Sequence, residues 1–209
     1  MSAPRHIWTS PRGILDLGFQ GYSCNWGTSI AILYEDLDSV LPSIMRILHT
    51  GLLAENRQNC FLSEPVQEAL IHLYEKKHPA EAVHLQEPKH FFFTDPAKAE
   101  IVFNPDDPLQ ISDHIDNFYY ASQIDKETPI RSILDIRQAL PFYKKPTQLA
   151  EMIFHINFTI CSKDWLQIVL YDLNEISATF LMAALEYHAF VLRNNKLIQN
   201  TLYKEDKKK

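Results

Sequence analysis

At 209 residues, with 46% hydrophobic and 22% charged side chains, the chain has material for one sizeable α/β core or two small domains and the makeup of a soluble globular protein. A formal charge of -6 argues against a broad nucleic-acid surface, which carries a basic patch or stripe. No apolar stretch is long enough to span a bilayer, and the polar start lacks the apolar core of a signal peptide.

Residues 1–12 read as a loose lead-in, and ILDLGF at 14–19 as a short strand or edge segment. Residues 20–28, QGYSCNWGT, read as a polar loop, and four of the five glycines lie before residue 28, which places flexibility near the start. Cys24 in that loop is expected to be more exposed than Cys60 and Cys161, which read as small core residues. Three widely spaced cysteines suit a reducing compartment, so the cytoplasm is the expected location.

SIAILY at 29–34 reads as a buried strand. Asp36–Ser39 offers caps for the helix VLPSIMRILHTGLL, with Pro42 in its first turn and Val40, Ile44, Ile47 and Leu48 on one apolar face. Gly51 is expected to end that helix or mark a tight bend. CFLS at 60–63 is a second strand, and Glu64 and Pro65 lead into the helix VQEALIHLYEKKH, with Leu70 and Leu73 toward the sheet. FFFT is the next strand, followed by a short strand at 101–103 and a helix over 109–125.

RSILDIR at 131–137 is a strand, PFYKKP a turn with local positive charge, and TQLAEMIFHINFTI an amphipathic helix capped by Thr147. LQIVLYDL, a helix over 175–187 and a hairpin turning at Asn194–Asn195 close the chain, asparagine tolerating the positive φ of such a turn. Strands alternating with helices of this length define the α/β class. The expectation is a single three-layer domain over 13–203 with a mostly parallel central sheet and a C-terminal β-hairpin, then a disordered basic tail at 204–209.

In such a sheet the binding crevice opens at the carboxyl ends of the strands. Those ends carry Tyr34, Glu35 and Asp36, and Tyr171 and Asp172, whose hydroxyls and carboxylates suit a small polar molecule. Helix capping is the commoner role for Asp36 and Asp172. Arg131 and Arg137 flank the middle strand, where recognition of an anionic ligand and solvated salt bridges are both open.

A phosphate loop needs glycine-rich backbone donors with a Lys and a Ser/Thr. GFQGYSCNWGTS holds Gly21, Gly27 and Thr28 but no Gly–Lys–Ser/Thr, and it precedes the first strong strand. It reads first as a turn that needs Gly21 and Gly27, and otherwise as a vestigial phosphate loop. His72, His78, His84, His90, His155 and His188 show no spacing of a protein-built zinc site, and no nucleophile elbow is present. No catalytic residue, metal ligand or cofactor is assigned.

The order of these elements and several local strings resemble the MEDS domain, a sensory domain of methanogen and methylotroph regulators that looks like a degenerate relative of the RecA/KaiC core. SIAILYED, a helix and HTGLLAENRQNCFLSEP resemble its opening unit, with Tyr34 and Gly51 on the family's tyrosine and turn glycine. IVLYDLNEISATFLMAALEYHAFVLRNNKLIQNTLY resembles its closing unit, with Tyr171 and Asp172 on a YD pair, His188 on a histidine, and Asn200 and Tyr203 on a terminal N…Y. The chain departs from the family at Thr28 or Ser29, where a histidine is usual, and at Ala189, where a proline is usual.

The resemblance implies a RecA/KaiC-like fold without an intact phosphate loop. It also implies a non-catalytic sensory or regulatory role that binds a small effector or a separate signalling protein, without membrane or direct nucleic-acid contact. Two alternatives stand beside it. One is a scaffold acting through a homo- or hetero-oligomeric interface, with Tyr22, Trp26, Phe142 and Tyr143 as a contact patch. The other is a divergent nucleotide-binding enzyme.

Overall fold

The computed structural model describes residues 14–19, 22–93, 128–160 and 163–203. The expectations for residues 1–12, Gly21, 101–103, 109–125, Cys161 and 204–209 lie outside the described residues.

Two short strands, β1 (Ile14–Phe19) and β2 (Tyr22–Asn25), pair antiparallel as a separate ribbon. Leu15, Leu17 and Phe19 alternate inward from β1 and join the core. The segment expected to be a polar loop is therefore partly strand. Cys24 is 6% exposed rather than open to solvent, and Trp26 is also buried. Gly18 and Gly27 hold φ of +76° and +78°, so these glycines serve defined left-handed positions. At Gly18 a Cβ would meet Thr50 Oγ1 at 2.2 Å, so the ribbon's close approach to the neighbouring helix needs glycine there.

The main sheet starts with β3 (Thr28–Tyr34), followed by α1 (Leu37–Leu53), β4 (Arg57–Phe61), α2 (Glu64–Lys77) and β5 (Phe91–Phe93). The chain continues through β6 (Ile130–Asp135), α3 (Pro146–Ile160), β7 (Trp165–Asp172), α4 (Ala178–Leu185), β8 (Phe190–Arg193) and β9 (Lys196–Gln199). The sheet order is β5-β4-β6-β7-β3-β8-β9, with every pairing parallel except that of β9 with β8. One core joins α1 and α2 to Ile30, Ile32, Cys60, Ile133, Ile168 and Leu170. A second joins α3 and α4 to Ala31, Phe61, Leu134, Val169 and Tyr171 on the other face. The result is an α/β domain with a mixed, mostly parallel sheet between two helical layers, a Rossmann-like arrangement. Among the described residues no helix is long and apolar enough to cross a membrane.

Gly51 does not end α1. The helix runs on to Leu53, and the left-handed residue of the turn is Glu55, at φ 56°. The glycine is needed for space: a Cβ at 51 would lie 2.5 Å from Gln58 Nε2 and 2.6 Å from Arg131 Cδ. Arg131, 1% exposed, crosses under the helix, and its guanidinium donates to Asn56 Oδ1 at 3.0 Å and to the Ile47 carbonyl at 2.8 Å. Burial lowers that guanidinium to about 10, so it remains charged at neutral pH.

Thr147 is the second residue of α3, behind Pro146, and does not stand at its cap. Gln148 reaches back instead, its Oε1 accepting from the amides of Lys144 and Lys145 at 3.2 and 3.1 Å. Ser177 caps α4 by accepting from Phe180 N. The C-terminal hairpin is as expected, with Asn194 and Asn195 at φ 50° and 59°.

Candidate functional site

The chain leaves β3 for α1 on one face of the sheet and leaves β7 for α4 on the other. Because β3 and β7 are neighbours, their connections diverge and open a crevice at their carboxyl ends. Tyr34 and Asp172 are register partners at that point. Leu173 N donates to the Tyr34 carbonyl at 2.8 Å and closes the floor.

Along the crevice, Asp135 at the end of β6 is fully buried and binds Arg137 through both carboxylate oxygens, at 2.9–3.1 Å. Its Oδ2 also accepts from the Ser63 hydroxyl at 2.5 Å, and its Oδ1 from the Arg137 amide at 3.1 Å. Arg137 extends toward Asp172 Oδ2 at 3.6 Å. The guanidinium is thus held between two carboxylates and is not a free anion receptor. Burial, reinforced by the negative charge of Asp135, pushes the Tyr34 phenol well above its ordinary range, so it stays a neutral hydroxyl. Its oxygen is buried without a hydrogen-bond partner.

On the other side of Tyr34 lies a cleft of about 550 Å³. The β3–α1 junction contributes Tyr34, Glu35, Asp36, Ser39 and Ser43 to its wall, and the hairpin contributes Arg193, Asn194 and Asn195. Asp36 also caps α1, its Oδ1 accepting from Asp38 N at 3.3 Å. Asp172 caps no helix; its Oδ1 accepts from Asn174 N at 3.0 Å and from Asn174 Nδ2 at 3.2 Å, and Asn174 holds the Glu35 carbonyl at 2.8 Å. Two contacts tie the hairpin over the cleft: Arg193 to Glu35 at 3.1 Å, and Ser43 to Asn195 Oδ1.

The structure therefore brings together Tyr34, Glu35, Asp36, Asp172 and Arg137. It separates the rest. Tyr171 alternates to the opposite face, where its hydroxyl lies 2.7 Å from His188 Nε2. His188 Nδ1 lies 2.7 Å from Ser29 Oγ, so one neutral imidazole links β3 to β7 inside the core. Burial pushes that imidazole down to about 3. Gly27 and Thr28 sit at the amino end of β3, remote from the carboxyl-end crevice, and Gly27 N donates to the Trp165 carbonyl at 2.7 Å.

Sequence reasoning missed Ser63 and Asp135, and it used Asn194 and Asn195 only as turn residues. An aspartate ending the apolar run SIL was the available signal for Asp135. Among the described residues, the donor atoms of His84, Glu87 and His90 cluster apart from this crevice, in the turn that enters β5. Neither models of known protein families nor curated proteins match the chain.

Proposed function

We propose that this chain is a non-catalytic sensory or regulatory protein that takes a small polar effector, neutral or cationic, into the cleft beside Tyr34. The observation that carries this reading is the lining of the cleft: carboxylates, hydroxyls and side-chain amides from α1 and the C-terminal hairpin around a half-open polar space. Glu35 and Asp36 outnumber Arg193 in that lining, which favours a cationic or neutral guest over an anion. An effector acts only by binding two states differently. Here it would compete for the Arg193–Glu35 and Ser43–Asn195 contacts and so reposition the hairpin that a separate signalling protein would read.

The nucleotide-binding reading has less support. Only Glu35 and Asp36 connect β3 to α1, which leaves little backbone to wrap a phosphate, and both are acidic. The scaffold reading loses its aromatic patch, because Trp26 and Tyr143 are core residues. Affiliation with MEDS domains and a RecA/KaiC-like core is part of this proposal; it rests on the order of elements and strings in the sequence, beside a mostly parallel Rossmann-like sheet.

Native mass spectrometry of the protein purified from its own host tests the reading. The expected result is a retained small-molecule mass that disappears in Ser39→Trp, a substitution at an exposed position that fills the cleft without entering the core. A protein that is empty as isolated, and whose melting temperature no small-molecule fraction of the host raises, would refute it.

A further inference from the structure

A second site lies at the opposite end of the sheet, in the turn between α2 and β5. The chain there passes through a 3-10 helix, Ala82–Gln86, which ends as Glu87 N donates to the His84 carbonyl at 3.1 Å; Glu87 itself is extended, and a separate turn follows in which His90 N donates to the Glu87 carbonyl at 2.9 Å. Two turns joined at the extended Glu87 bring residues 84, 87 and 90 together.

The donor atoms converge. Glu87 Oε2 lies 3.1 Å from His84 Nδ1 and 3.3 Å from His90 Nε2, and the three ligand atoms all fall within 4.8 Å of one another. A tetrahedral zinc ion with ligands at about 2.1 Å keeps them roughly 3.4 Å apart, so the two carboxylate–imidazole spacings are already near those of a bound ion. The imidazoles meet edge-to-face with ring centroids 4.7 Å apart, and Phe91, the buried first residue of β5, anchors the end of the turn. Side-chain exposures of 35%, 36% and 24% leave the group partly shielded and open to a metal from solution. Lys89 Nζ also approaches Oε2, at 3.5 Å, but its side chain is 59% exposed and free to swing away.

We propose that His84, Glu87 and His90 bind one divalent transition-metal ion of the zinc type, with solvent completing its coordination. Two imidazoles and one carboxylate are borderline ligands that suit zinc and its neighbours better than magnesium or calcium. The ion clips together the turn that leads into the amino end of the edge strand, at the opposite end of the sheet from the cleft. It therefore acts as a structural or metal-responsive clamp, and the site stands independently of the effector reading.

The test uses the full chain stripped with chelator and titrated with Zn²⁺ by calorimetry, and with Co²⁺ as a visible-absorption probe. The expected result is one ion per chain, a metal-dependent rise in melting temperature and a ligand-field spectrum. His84→Ala and His90→Ala should each weaken binding by at least the roughly 10–100-fold seen when even an outer-shell partner is lost. Glu87→Gln should alter the cobalt spectrum while keeping the apo melting temperature, and His72→Ala, at an exposed position on α2, should change neither. No stoichiometric uptake would overturn the proposal, as would binding unchanged in both His84→Ala and His90→Ala.

Discussion

Acidification should weaken the fold through His188 before the carboxylates titrate. The imidazole is fully buried between Ser29 and Tyr171 and shifts from 6.5 in the unfolded chain to about 3 in the folded one. Below pH 6.5 the unfolded state therefore binds a proton that the native state refuses, and stability falls as pH falls, until about pH 3, where both forms are protonated. Between pH 7 and pH 5 this group alone should remove about 2 kcal/mol, and the whole shift corresponds to about 5 kcal/mol. Urea denaturation at pH 7 and pH 5 measures the loss. His188→Gln keeps a neutral donor and acceptor but has no titration, so it should lose about 2 kcal/mol less than the natural chain over that interval. Equal losses in the two proteins would refute the reasoning, as would an imidazole resonance for His188 that titrates near pH 6.5.

At Gly51 two effects oppose each other. Helix propensity favours alanine by about 1 kcal/mol, while contact with Arg131 and Gln58 should cost about 1–3 kcal/mol. Because Arg131 is bonded at both ends and cannot withdraw, Gly51→Ala should lower the urea midpoint; a rise would show that the guanidinium yields. Asp135→Ala should cost about 3 kcal/mol by leaving Arg137 without its main partner, as read by thermal unfolding. Burial pushes the thiols of Cys24 and Cys60 up to about 12, so in a Cys161→Ser background a disulfide reagent at pH 8 should label neither until the chain is unfolded. Rapid labelling of the native protein would contradict the packing around them.

Hydrophobic periodicity and turn chemistry by themselves determined most of the elements. The apolar run at 29–34, the stripe Val40–Ile44–Ile47–Leu48 and the Asn194–Asn195 turn needed only local sterics and burial, and each stands where the pattern puts it. Residues near strand ends were legible as candidates because an α/β sheet always exposes those ends. Their grouping was not. Whether Tyr171 or Asp172 reaches the crevice depends on a one-residue alternation across the sheet, and the register of β7 against β3 settles it. Asp135 gains its role from Arg137 and from Ser63, 72 residues away in sequence. Gly51 reads locally as a helix terminator, yet its reason is Arg131, placed beneath it by the pairing of β6 with β4. His84, Glu87 and His90 escaped a reading by helical period because two turns joined at an extended residue, not a helical repeat, bring them together. Local sequence sets the turn and the face; which side chains then meet across the sheet is a property of strand order and register, and only the tertiary structure decides it.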